Sequence, residues 1–201
     1  GVTSRVSVAT GSIQSVGGAS TEVTTSGDGG TAVFLSFATN LAPNDTNGFA
    51  DVFVHDRDAG VTTRVSVDSA GVQANSNSES PGMSADGRFV VFSSEATNLV
   101  PNDTNGVPDV FLHDRQTGIT SRISVDSLGN QADDASFDPF ISADGGIVVF
   151  GSDATNLVPG DTNGVADVFV RNLVAGTTTR VSVSSAGAQS NGDSGFDFRA
   201  Q

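Results

Sequence analysis

Asp45, Asn47 and Asp51 stand two and then four residues apart in the run Asn44-Asp45-Thr46-Asn47-Gly48-Phe49-Ala50-Asp51. A glycine follows the asparagine directly. Oxygen side chains at this spacing, bent together by a glycine, suit a calcium ion, which takes about six to eight hard oxygen ligands. The set returns as Asp103, Asn105 and Asp109 and again as Asp161, Asn163 and Asp167. On this reading calcium is the bound cofactor, with backbone carbonyls and water completing each shell. Asn44 is not counted as a ligand, because Gly160 takes its place in the third copy. The same residues also suit a plain Asn-Gly turn in which Asp51 caps the loop or pairs with an arginine such as Arg64. The full EF-hand pattern, with its terminal bidentate glutamate, is not present.

The other chemistry-bearing residues point away from catalysis. His55 and His113 occupy equivalent places, but Arg171 stands at the third such place, so they read as strand-end histidines with a local partner rather than as general bases. Ser66, Ser124 and Ser182 recur beside Arg64, Arg122 and Arg180, yet no Ser–His–acid arrangement is legible. Those arginines are expected to pair with nearby acids on the outer face. The Asp-Gly acids read as turn chemistry, and the glycines form no phosphate-cradling motif.

Composition narrows the partners. Net charge is −14, all cations are arginine, and most acids are aspartate, so phosphate backbones and anionic lipid are disfavoured and cations favoured. There is no cysteine, which excludes disulfides and thiolate metal sites. No apolar run is long enough to span a membrane as a helix. The apolar fraction of 36% and the 24 glycines suit short strands joined by turns better than a helical bundle.

The elements that must position these residues come from a repeat. Ala-Thr-Asn-Leu begins at Ala38, Ala96 and Ala154, a period of 58 residues, and Asp-Val-Phe follows at Asp51, Asp109 and Asp167. Arg64-Val65-Ser66-Val67 recurs at Arg122 and Arg180, with a further copy upstream at Arg5. Each unit reads as four strands. The first carries Pro81 or Pro139 and ends in a turn at Asp28-Gly29, Asp86-Gly87 or Asp144-Gly145. The second and third are continuously apolar, as in Phe89-Val90-Val91-Phe92 and Val52-Phe53-Val54, and so are expected to be covered on both faces. The fourth is read as the alternating run Arg64-Val65-Ser66-Val67. A four-stranded meander of this length, repeated at a fixed period, is a β-propeller blade. Alternate connections then share one face of the disc. The two long polar ones, Ala38 to Ala50 and Asp68 to Glu79, are expected to hold any site.

Ser-x-Asp-Gly, an apolar strand, and then Asp-Val-Phe-Val-x-Asp resemble the blade repeat of the TolB-type (WD-repeat-like) bacterial β-propeller family. The resemblance covers nearly the whole chain. The Asp-Thr-Asn-Gly loop looks like a variant found in secreted bacterial proteins. It implies an all-β propeller that scaffolds contacts with protein or glycan, and implies no reaction.

Counted as strands, the sequence predicts about 3.5 blades in one repeat domain: a lone outer strand over 2–8, blades over 21–67, 80–125 and 138–183, and the start of a further blade over 196–201. The open ends are expected to meet the rest of a longer propeller or other copies of the chain through free strand edges. The expected function is a calcium-binding, non-catalytic scaffold for binding, adhesion or structure in a secreted or cell-surface bacterial protein, or one in the periplasm. The alternatives are the propeller part of a polysaccharide-acting enzyme and a self-assembling structural subunit. Neither nucleic-acid binding nor membrane insertion is expected.

Overall fold

The structure is a computed structural model and describes residues 3–194. It contains three four-stranded antiparallel sheets, each a simple meander, preceded by a two-stranded hairpin. The hairpin is β1 (Val8–Ala9) with β2 (Ile13–Gln14). Blade 1 is β3 (Ser20–Thr25), β4 (Thr31–Ser36), β5 (Asp51–Asp56) and β6 (Val61–Arg64). Blade 2 is β7 (Ser78–Met83), β8 (Phe89–Ser94), β9 (Asp109–Asp114) and β10 (Ile119–Arg122). Blade 3 is β11 (Ser136–Ile141), β12 (Ile147–Ser152), β13 (Asp167–Asn172) and β14 (Thr177–Arg180). No helix among the described residues is long and apolar enough to cross a membrane. The further strand expected over 196–201 lies outside the described residues.

Each blade has two chemically distinct apolar faces, because side chains alternate across a strand. One face of blade 1 presents Val33, Val52, Val54 and Val65, and it meets Val90, Phe92 and Phe111 of blade 2. Blade 2 in turn sets Val91, Val110, Leu112 and Ile123 against Val148, Phe150 and Phe169 of blade 3. Valine face thus packs on phenylalanine face throughout. Within each phenylalanine face the two rings stack, with centroids 6.0, 5.9 and 5.9 Å apart in blades 1 to 3. The Ala and Leu of Ala-Thr-Asn-Leu fold over the same layer: Ala38, Leu41, Leu99 and Leu157 are all buried.

Two expectations about the fourth strand need correction. It covers Val61–Arg64, and so ends where Arg64-Val65-Ser66-Val67 begins. The Val65 N–H still donates to the Val52 carbonyl, but Ser66 turns inward. Its Oγ accepts the Val52 N–H and donates to Asp51, so a side chain replaces the backbone ladder at this point. Beyond it, Val67 opens a small hairpin bridged to Gln73, repeated at Val125 with Gln131 and Val183 with Gln189. The upstream copy behaves alike. Of the strand expected over 2–8, the described residues 3–7 form none: the Val8 N–H donates to the Val6 carbonyl in a tight turn, and the strand there is Val8–Ala9.

The hairpins clasp the next blade. The Thr62 hydroxyl donates to the Val8 carbonyl, the Thr120 hydroxyl to that of Val67, and the Thr178 hydroxyl to that of Val125. The same threonines give their N–H groups to Thr10, Ser69 and Ser127 Oγ atoms at 3.1, 3.0 and 2.9 Å. On the inner side, the asparagine of Ala-Thr-Asn-Leu reaches back to the preceding linker. Asn98 donates to the Gln73 carbonyl (2.9 Å) and accepts from the Asn75 N–H (3.0 Å). Asn40 and Asn156 repeat this with Gln14 and Val16, and with Gln131 and Asp133.

Candidate functional site

The three Asp-Thr-Asn-Gly loops fold alike, and each closes on an arginine. Arg64 Nη1 lies 3.2 Å from Asp45 Oδ1 and 3.1 Å from Asp51 Oδ2. Arg180 bridges Asp161 and Asp167 at 2.9 and 3.0 Å, and Arg122 bridges Asp103 and Asp109 at 3.3 Å each. These pairs are buried rather than displayed on the outer face as expected, the Arg64 side chain being 8% exposed. Asp51 is saturated by protein donors. Its Oδ1 accepts Ser66 Oγ–H at 2.6 Å, and its Oδ2 accepts the Asn47 amide N–H at 3.0 Å besides Arg64. Asn47 also donates to the Ala74 carbonyl and takes the Phe49 N–H on its own oxygen.

The residues expected to hold calcium are therefore brought together, three per loop, around a guanidinium. Asn47, Asn105 and Asn163 turn their amide nitrogens, not their oxygens, toward the aspartates. Among the described residues no three of His, Cys, Asp and Glu gather as a metal-holding group. Burial raises the Asp45, Asp109 and Asp161 carboxyls above the usual range, outweighing the arginine that lowers each. An ion entering here would have to displace the arginine and rotate the asparagine. The left-handed backbone at Asn44 (φ 59°) and Asn102 (φ 58°) explains why glycine can stand at 160, where φ is 75°.

The histidines belong to the clasps. Nδ1 of His55 is 2.8 Å from Thr62 Oγ1, and that of His113 is 2.9 Å from Thr120 Oγ1. Each threonine spends its single proton on a hairpin carbonyl, so the imidazole must be the donor, with its proton on Nδ1. Arg171 Nη1 donates to Thr178 Oγ1 at 3.0 Å in the third blade. Arginine can replace histidine because the position requires only a buried N–H donor. Burial holds both imidazoles below the ordinary histidine range.

A second group of polar side chains converges on the first strands, and sequence reasoning passes over it. β7 packs on β3, and β11 packs on β7, so the three run side by side along one axis. Each bulges at the same point, between Thr21 and Thr24, Glu79 and Gly82, and Phe137 and Phe140. At the bulge, Glu22, Ser80 and Asp138 adopt left-handed backbone (φ 50°, 52° and 48°). Glu22 accepts the Ser80 N–H at 2.8 Å, and the Ser80 hydroxyl donates to Asp138 at 2.9 Å. Around them is a cleft of about 400 Å³ lined by Glu22, Val23, Ser80, Pro81, Asp138 and Phe140, among others. Phe140 is 57% exposed and Val23 61%. A second cleft continues past Glu79 and Glu95 to Pro108, onto the long connections.

A signal for this site is available in the sequence. Residues 21–25, 79–83 and 137–141 are aligned by the repeat, yet at four of the five positions the three units carry three different residues. The loop triads, in contrast, are identical in all three.

No protein-family profile matches the chain, and no curated protein sequence does. Solved structures do resemble it. TolB from Acinetobacter baumannii superposes with a TM-score of 0.52 at 17% identity, over 85% of this chain and 34% of that one. A putative TolB from Agrobacterium tumefaciens gives 0.50 at 19% identity, over 78% of this chain and 46% of that one. The chain thus spans less than half the length of these propellers. Its fold is a run of TolB-like propeller blades.

Proposed function

We propose that the chain is a non-catalytic binding scaffold in an extracytoplasmic bacterial protein, and that its ligand surface is the first-strand cleft. The observation that carries this reading is the concentration of differences among near-identical units at the strands lining that cleft. A scaffold copied three times keeps what holds it together and varies what contacts a ligand. The cleft combines two carboxylates, a hydroxyl, prolines and an exposed phenylalanine, which suits an extended protein segment bearing a cationic and an apolar side chain.

The test is a peptide array and a glycan array probed with the full chain, followed by affinity measurements on Glu22→Gln, Asp138→Asn and Phe140→Ala. Selection of basic peptides, with affinity falling about tenfold or more in each variant, supports the reading. A ligand whose affinity ignores all three variants sinks it. Selection of glycans instead favours the propeller part of a polysaccharide-acting enzyme. Calcium belongs to this proposal as an ion that must exchange with three guanidinium groups. Calorimetric titration of EDTA-stripped protein decides, since saturable heat near three ions per chain supports it and none at millimolar calcium removes it.

A further inference from the structure

The second cleft, of about 430 Å³, has a chemistry of its own. All three blades wall it, with Glu22 from blade 1, Glu79 and Glu95 from blade 2 and Asp138 from blade 3. Asn77 and Ser93 extend the blade 2 side, and Phe137 and Pro108 supply apolar wall. No cationic side chain among the described residues lines it. Much of the polar wall is peculiar to unit 2. Where that unit carries Asn77, Glu79, Ser93 and Glu95, unit 1 carries Ala19, Thr21, Leu35 and Phe37. Unit 3 carries Ala135, Phe137, Gly151 and Asp153. All four positions are polar in unit 2 alone, while the serine pair among them, Ser78 with Ser94, is kept in every blade.

We propose that this cleft is an arginine subsite, which takes the guanidinium of a ligand side chain in preference to the ammonium of a lysine. The inference rests on the ligand reading above and specifies its cationic group. The carboxylates are spread over three blades, and among the described residues no three acids gather as a metal-holding group. A compact ion needs its oxygens within one small shell. A guanidinium carries five N–H donors in a fixed planar fork and so reaches acceptors on several sides. Three of the acceptors are held in place. Glu22 takes the Ser80 N–H, Asp138 the Ser80 hydroxyl, and Glu95 the Ser76 hydroxyl at 3.1 Å. Each of these carboxylates keeps acceptor sites beyond that bond. Guanidinium is also less strongly hydrated than ammonium and lies on aromatic faces. Phe137 offers such a ring at a fixed place, because it packs on Gly151, where an added Cβ would stand 2.5 Å from it.

The experiment titrates the full chain against two labelled probes, hexaarginine and hexalysine, by fluorescence anisotropy at physiological salt. Hexaarginine binds about tenfold or more tightly than hexalysine. Glu79→Gln/Glu95→Gln brings the two affinities within about twofold of each other. Asp28→Asn/Asp58→Asn removes the same charge from the short turns and keeps the preference, which separates the cleft from the acidity of the whole chain. All four acids are exposed, so both variants stay folded. Phe137→Leu lowers hexaarginine affinity about threefold and leaves that of hexalysine unchanged. Equal binding of the two probes, or a preference that survives Glu79→Gln/Glu95→Gln, overturns the inference. The ligand reading still stands in that case if Glu22→Gln and Asp138→Asn weaken the binding of a selected peptide. A chain that binds neither probe overturns the inference as well, and the arrays then decide the ligand reading on their own.

Discussion

The Asp-Thr-Asn-Gly loops and the first strands carry comparable polar side chains, yet the two regions differ in what those side chains do. In the loops, Asp51, Asp109 and Asp167 are fully buried and each is matched to arginine, serine and asparagine donors. Each cluster closes around its arginine, and the two aspartates and the asparagine are the same in all three units. On the first strands, Glu22 and Asp138 hold left-handed backbone at the rim of an open cleft, and the units diverge. Repetition preserves what folds the blade and releases what faces outward. Identity among internal copies accompanies the buried ion pairs, and difference among them accompanies the open cleft on which the proposed ligand reading rests.

Breaking the buried side of the comparison has the largest effect. Asp109→Ala leaves Arg122 with Asp103 alone and Ser124 without its carboxylate in a closed site, which costs about 3–5 kcal/mol in urea unfolding. A loss below about 1 kcal/mol would show the loop to be an ordinary solvated turn. Phe140→Ala probes the other side, with stability changed by about 1 kcal/mol or less for so exposed a ring and ligand affinity reduced about tenfold.

The clasps give a smaller, pH-dependent effect. His55 and His113 are held below the ordinary histidine range by burial, so the unfolded chain binds protons more readily. Their contribution to stability is complete above pH about 6.5 and is lost as pH falls below it. The double variant His55→Arg/His113→Arg copies what Arg171 does in blade 3 and keeps the donor to each threonine. It flattens the stability profile below about pH 6.5. A slope as steep as that of the parent would remove the histidines as its origin. The smallest change is Asn102→Gly, within about 0.5 kcal/mol at a left-handed position, whereas Asn102→Val costs about 1–2 kcal/mol.

Much of the fold is legible in the sequence because its signals are local and periodic. The 58-residue period, the apolar second and third strands and the Asp-Gly turns each predict what is found, with Gly29, Gly87 and Gly145 at positive φ. The fourth strand is not legible in this way. Arg64-Val65-Ser66-Val67 alternates like a strand, while Ser66 finds a better partner in Asp51 across the sheet. No spacing rule reveals that contact. The Asp-Thr-Asn-Gly loops suggest calcium when their oxygens alone are counted. The cation that the fold places among them, Arg64, lies 13 residues beyond Asp51 and is delivered by strand pairing. The asparagine of Ala-Thr-Asn-Leu looks like loop filler because its partners sit in the preceding unit. The first-strand cleft escapes notice because identical residues draw attention and differing ones do not.

Where a ligand touches the blades decides between the two regions. Amide exchange of the full chain, with and without a peptide selected on the array, locates that contact directly. The predicted result is slowed exchange over 21–25, 79–83 and 137–141, with residues 45–51 and their two repeats unchanged. Protection confined to the Asp-Thr-Asn-Gly loops, with the first strands unaffected, would contradict it.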